Sequence, residues 1–369
     1  MAKAKIAVLG GDGIGPEITE QALRVLKAVA DLCGHSFEIV RGLIGGAAFD
    51  QYGEHLPADT LKLCRTSDAV LLGAVGGPVE QRNLPRWKNC EVNSLLRLRK
   101  EFQFAINLRP LRIYPGLTRL SPLKMENLVS GVDILIVREL IGDIYFGEKY
   151  RRQENGVTAA YDLARYDKSQ IQKVADFAFK AAETRNKRVI SVDKANVLET
   201  SKLWRESVEE LISDYSNIKL EHMFIDNCAM QLVKNPAKFD VLLTSNLFGD
   251  ILSDLAAGIA GSLGLMPSAS LNYNGFGLYE PAGGSAPDLA GKGIANPIGQ
   301  ILSIALMLRY SFGLEKEACI IEQAVEDALN TGVLTPDLAG NQQEAVTTEE
   351  FADRIIGIIS DKDYRDGTD

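Results

Sequence analysis

The chain has 369 residues, enough for two domains with sizeable cores. Its formal charge of −9 argues against nucleic acid or an anionic membrane as a partner, and no apolar run approaches the roughly 18–20 residues of a membrane span. Five cysteines without CxxC or metal spacing read as reduced thiols of a cytosolic protein, and His35, His55 and His222 share no motif, which argues against a histidine triad or zinc site.

The opening MAKAKIAVLGGDG is too short in its apolar part for a signal peptide, so residues 6–9 are expected as a buried strand. GGDGIGP, 10–16, is a turn, and Pro16 suits the first position of a helix carrying Ile18, Ala22, Val25, Leu26 and Val29 at helical spacing. Strand, glycine turn and helix form a phosphate-binding layout, yet Pro16 stands where GxGxxG needs its third glycine, so a plain tight turn stays open. Further strands are expected at 69–72, 105–108, 133–137, 188–192 and 220–225, with a basic helical stretch at 95–100. Amphipathic helices are expected at 169–183, 203–213 and 314–329, and a core helix at 301–308. Residues 145–165 are polar and β-like, an arm or hairpin. Residues 275–296 are so rich in Gly and Pro that no regular element is expected there, and the tail from Ser360 is expected to fray. Alternating strands and helices predict an α/β protein with mostly parallel sheets.

The stretch 239–261, FDVLLTSNLFGDILSDLAAGIAG, predicts a strand and then a helix from Leu247. Asp250 and Asp254 are four apart, so both carboxylates lie on one helix face. They are either a solvated acidic face or ligands for Mg²⁺ or Mn²⁺; the apolar neighbours Ile251, Leu252 and Leu255 predict a helix packed on several sides, which favours the metal. Arg99, Arg109 and Arg138 could hold carboxylates by paired hydrogen bonds, or pair with local acids such as Glu101 or Glu139. Lys194 after a strand is a candidate base, Tyr145 a candidate acid, each with a structural alternative. Asp226 either caps the following helix or supplies a third metal carboxylate. The 275–296 loop could wrap a cofactor, with Asp288 accepting from a ribose diol and disfavouring a 2′-phosphate, or be a surface loop.

GDGIGPE (11–17), LLRLRK (95–100), NLRP (107–110), VREL (137–140), DIYFGE (143–148), DKANVLE (193–199), DNCAMQL (226–232), NLFGDILSD (246–254) and GSAPDLAGKGIANP (284–297) occur in that order. The set resembles the isocitrate/isopropylmalate dehydrogenase family of β-decarboxylating dehydrogenases over nearly the whole chain. The resemblance implies a two-domain α/β fold that is not a classical Rossmann domain. It implies a cofactor domain of 1–104 with 262–369, a substrate, metal and dimerisation domain of 105–261, and a dimerisation arm near 145–165. It implies oxidative decarboxylation of 3-isopropylmalate with NAD and Mg²⁺ or Mn²⁺, in a cytoplasmic homodimer whose active sites are shared. Isocitrate, homoisocitrate and D-malate or tartrate are the sibling substrates, and a non-catalytic ion-binding module is the rival from another class. By the same resemblance Arg99, Arg109 and Arg138 hold the substrate carboxylates and Leu95 and Leu96 meet its isopropyl group. Asp250 and Asp254, with Asp226 from the other subunit, ligate the metal; Lys194, also from the other subunit, is the base and Tyr145 the acid. Ile14, Glu280, Gly284, Ser285, Ala286, Asp288 and Asn296 fall on the cofactor site. The chain departs from the family pattern at Ile141 and Asp143, where Thr and Gly are usual, at Leu255, where an acid is usual, and at Gly283, where many members have His.

Overall fold

The computed structural model describes residues 1–340 and 344–361. Numbered along the chain, its strands are β1 (Lys3–Gly11), β2 (Ser36–Gly42), β3 (Ala69–Ala74), β4 (Ile106–Ile113), β5 (Val132–Glu139), β6 (Lys149–Glu154), β7 (Val157–Asp162), β8 (Arg188–Asp193), β9 (Lys219–Phe224), β10 (Val241–Thr244), β11 (Pro267–Leu271) and β12 (Gly277–Pro281). The chain divides into two compact units. No helix among the described residues is long and apolar enough to cross a membrane.

The first unit comprises Met1–Phe102, Tyr114–Leu120 and Ala260–Asp369. Its strand order is β2-β1-β3-β12-β11, parallel except for the β11–β12 pair. Helix Gly15–Cys33 carries Pro16 in its first turn and buries Ile18, Ala22, Val25, Leu26 and Val29, the stripe that a 3.6-residue period puts on one face. It ends at Gly34, whose left-handed φ of 72° closes the last turn. Helix Ile298–Tyr310 is buried from Ile298 through Leu308 and packs on β11 and β12. In the Gly10–Gly15 turn the glycine at 13 is required: at φ 58° a Cβ there would sit 1.9 Å from the Ser285 carbonyl oxygen.

Strand β12 corrects the expectation that 275–296 holds no regular element. Leu278 and Tyr279 lie fully buried between β3 and β11. A strand covered on both faces shows no polar alternation, so its period was hidden between flanking glycines and Pro281. The expected tail from Ser360 is also revised, because helix Thr348–Asp361 runs through Ser360 and Asp361; the remainder lies outside the described residues.

The second unit comprises Gln103–Ile113 and Ser121–Ile259. Its order is β4-β5-β10-β8-β9, with β4 antiparallel to β5 and the rest parallel. Helix Lys168–Glu183 opens with a full capping box between Asp167 and Gln170. Trp204 of helix Glu199–Leu211 is buried and donates to Ser191 Oγ of β8 at 3.1 Å. Strands β6 and β7 form a separate hairpin closed by Asn155 and Gly156, both at positive φ as a tight two-residue turn needs. Helix Asn246–Ala260 is not packed on several sides as its neighbours suggested. Leu252, Ala256 and Ile259 are buried, but Ile251 is 53% exposed and Asp254 is exposed.

Candidate active site

In the second unit, parallel register brings strand ends together: Arg138 pairs with Thr244, which pairs with Val192. The segments leaving β5, β10 and β8 therefore emerge at one edge, the carboxyl side where site residues of open α/β sheets gather. Arg138 is buried. Its Nε donates to the Asn246 carbonyl oxygen at 2.8 Å, its Nη2 to Asn246 Oδ1 at 2.7 Å and its Nη1 to Asp250 Oδ1 at 2.6 Å. Tyr145 donates to the other Asp250 oxygen. Burial, with the Asp250 carboxylate beside it, raises the Tyr145 phenol above its ordinary range, so it keeps its proton at neutral pH. Asp254 is exposed one helical turn beyond Asp250.

Asn107 faces Arg138 across the β4–β5 ladder, and Arg109, two residues on, shares that sheet face and donates to Asn107 Oδ1 at 3.0 Å. The alternative pairing of Arg138 with Glu139 does not occur, because consecutive strand residues point to opposite faces. Glu139 is fully buried; it accepts the Ile141 and Gly142 N–H groups and the Tyr166 hydroxyl, and burial pushes its carboxyl up to about 7.

Lys194 follows β8 and its Nζ reaches Asp226 Oδ1 at 2.5 Å; that hydrogen bond holds the Asp226 carboxyl below its usual range. The loop is fixed by buried Asp193, which accepts the Ala195 N–H at 2.9 Å and both Nε and Nη2 of Arg205. Asp226 does not cap the next helix. It lies inside the first turn of Ile225–Lys234, whose N-cap is Phe224.

In the first unit, Arg99 stands in the short helix Arg97–Glu101, directly after a π-helical turn, Val92–Leu96, that carries Leu95 and Leu96. Arg99 does not pair with Glu101, which takes Arg65; its Nη2 donates to Glu280 Oε1 at 3.2 Å. The Arg99 Nε is buried with no hydrogen-bond partner. The segment after β12 is pinned at a few points. Ile14 N–H donates to the Ser285 carbonyl at 2.8 Å, Gly291 N–H to Glu17 at 3.0 Å, and Asn296 to Asp337 at 3.0 Å. Ala286 has a left-handed φ of 37°, Gly284 faces open space and Asp288 is exposed.

Sequence reasoning assigned no role to Asn246, fully buried and the main partner of Arg138, nor to Glu139 and Tyr166. The NLFGD run was the available signal for Asn246. Among the described residues one metal-like group, Cys33, His35 and Glu317, lies in the first unit. There Ala2 N–H donates to His35 Nδ1 at 3.0 Å, which puts the ring proton on Nε2, 2.7 Å from Glu317 Oε1. A metal would need that nitrogen's lone pair, so the group is a satisfied hydrogen-bond chain.

In the second unit, arginines, a phenol, an ammonium and carboxylates thus gather on segments that leave the sheet. The family model described as isocitrate/isopropylmalate dehydrogenase matches residues 5–355. The chain is 54% identical over 354 residues to the 3-isopropylmalate dehydrogenase of Pseudoalteromonas translucida, covering 96% of this chain and 98% of that one. It is 52% identical over 357 residues to that of Aquifex aeolicus, covering 96% and 97%. The crystal structure of isocitrate dehydrogenase from Methylococcus capsulatus superposes with a TM-score of 0.82 at 33% identity, covering 96% and 99%. The chain belongs to the isocitrate/isopropylmalate dehydrogenase family.

Proposed function

We propose that this chain catalyses the oxidative decarboxylation of 3-isopropylmalate to 2-oxoisocaproate, using NAD⁺ and a divalent metal, as a step of leucine biosynthesis. The full-length likeness to relatives bearing that enzyme's name carries the reading. The residues fit both groups. Asp250 and Asp254 offer singly placed carboxylate oxygens one turn apart, which suits Mg²⁺ or Mn²⁺, with Asp226 of a second subunit as third ligand. For NAD, the segment Gly284, Ser285, Ala286, Asp288 and Asn296, with Ile14 and Glu280, offers mainly backbone groups, and buried Glu17 Oε1 beside it has no partner. When bound, NAD⁺ would take hydride from C2 and the metal would polarise the C2 oxygen.

The chain's own groups do the rest. Arg99, Arg109 and Arg138 orient the two carboxylates, and the unmet Nε of Arg99 supports a waiting anion. Leu95 and Leu96 accept the aliphatic branch. Lys194, reaching in from the second subunit, takes the proton of the C2 hydroxyl. Once C2 is a ketone, CO₂ leaves from C3 because the electron pair can move onto the new carbonyl oxygen, and Tyr145 returns a proton to C3. Residues 1–104 with 262–369 serve the cofactor, and 105–261 the substrate, metal and dimer contact.

The enzyme works as a cytoplasmic homodimer with shared sites, without nucleic-acid or membrane partners. Val197, Leu198, Met230 and Ile251 are exposed large apolar residues, and a lone two-stranded hairpin such as β6–β7 is marginal in water, so both call for cover. Steady-state rates with 3-isopropylmalate, isocitrate and D-malate test the reading. Preference for 3-isopropylmalate supports it; preference for either other acid, or no NAD⁺ reduction with any, ends it.

A further inference from the structure

Asp143 is buried and left-handed, φ 67°. That conformation is open to few residues besides glycine, aspartate and asparagine among them, because a short polar side chain can bond locally. Its carboxylate offers a reason for retaining it. Oδ1 accepts the Ile144 N–H at 2.9 Å, and Oδ2 accepts the Leu247 N–H at 3.1 Å, with the Tyr166 hydroxyl at 3.4 Å. Leu247 is in the first turn of helix Asn246–Ala260, where N–H groups lack helical partners and the helix dipole favours negative charge. Asp143 thus caps, from another segment, the helix that carries Asp250.

The same residue opens the single turn Asp143–Phe146, and its carbonyl accepts the Gly147 N–H at 3.2 Å. Tyr145 lies on that turn and donates to Asp250. Two side chains from one turn therefore grip one helix, Asp143 at the Leu247 N–H and Tyr145 one turn on at Asp250. Glu139 and Asn246 fix the approach: Glu139 holds the Gly142 N–H, and Asn246 Nδ2 donates to the Gly142 carbonyl at 3.1 Å. With the entry pinned at Gly142, the Asp143 carboxylate decides how the turn seats on the helix.

We propose that Asp143 is a positioning residue for Tyr145, setting the reach of the phenol by capping the helix that bears Asp250. This rests on the role given to Tyr145 above. The test is a double-mutant cycle of Asp143→Gly and Tyr145→Phe, with Asp143→Asn alongside. Glycine suits φ 67°, so the fold survives and the melting temperature should stay within a few degrees, while the cap is lost. Asp143→Gly should lower kcat about ten-fold with little change in KM for the diacid, as expected for a misplaced proton donor. Asp143→Asn tolerates the left-handed backbone and keeps an acceptor for Leu247, so it should recover most of that loss. In the Tyr145→Phe background, Asp143→Gly should cost almost nothing more. An equal loss in both backgrounds, or wild-type kcat in Asp143→Gly, overturns the proposal while leaving Tyr145 its role. Wild-type turnover in Tyr145→Phe alone removes the role of Tyr145 itself, and this proposal with it.

Discussion

Arg138 and Arg99 are both buried and both reach a carboxylate, but their guanidinium groups are engaged to different degrees. Arg138 spends Nε, Nη1 and Nη2 on Asn246 and Asp250, and so ties the end of β5 to the start of a helix. Arg99 makes one 3.2 Å bond to Glu280 and leaves Nε buried and unmet. A buried donor without a partner costs about 1–3 kcal/mol, a cost that an anion bound at Arg99 would relieve. In the second unit Arg138 and Lys194 each meet a carboxylate and Arg138 engages Nε, Nη1 and Nη2, while in the first unit Arg99 meets Glu280 and keeps Nε open.

The self-paired region is broken most severely at its base. Lys194→Met should lower kcat by about 10²–10⁴-fold, the usual worth of general acid–base catalysis, with metal binding by titration little changed. Near-normal turnover would remove Lys194 from the chemistry.

Glu139 sharpens the comparison through stability. Its folded pKa of about 7 lies above the ordinary 4.5, so between those values the folded state holds a proton that the unfolded state has released. Its contribution is complete below pH 4.5, is lost as pH rises through about 7, and is flat beyond. The loss is on the order of 3 kcal/mol. Denaturant unfolding at pH 5 and pH 8 should show that much less decline in Glu139→Gln than in the wild type; equal slopes would place the carboxyl in an ordinary range.

Asp250→Asn should raise the Mn²⁺ concentration for half-maximal activity about 10–100-fold, the scale seen when a metal's supporting groups are lost. An unchanged titration argues against Asp250 as a ligand. The smallest effect belongs to the first unit. Arg99→Lys keeps charge but loses the fork, and should raise KM for the diacid about ten-fold, or 1.4 kcal/mol, with kcat nearly kept. A matching loss in kcat would show that Arg99 acts mainly in the transition state.

Much of the scaffold could be read from periodicity, since long amphipathic helices such as Gly15–Cys33 carry a repeated apolar face. Strand β12 could not, because central burial erases alternation. Charged residues at strand ends were legible as residue types. Their partners were not: Arg138 meets Asp250, 112 positions away, and Arg99 meets Glu280, 181 away, pairings that only the folded chain creates. Asn246 escaped notice because an amide in an apolar helix start looks like a cap until its side chain is seen binding a guanidinium.

The five thiols carry a consequence for durability. All are free, and burial pushes Cys64 and Cys228 up to about 12 and Cys90 to about 11. At neutral pH a thiol of pKa 12 is ionised in only about one molecule in 10⁵, and peroxides and alkylating agents attack the anion. Burial and Glu315 also raise the Cys319 thiol, but Cys319 is exposed, so oxidants should reach it before those three, and the enzyme should outlast peroxide exposure that silences a cysteine-dependent one.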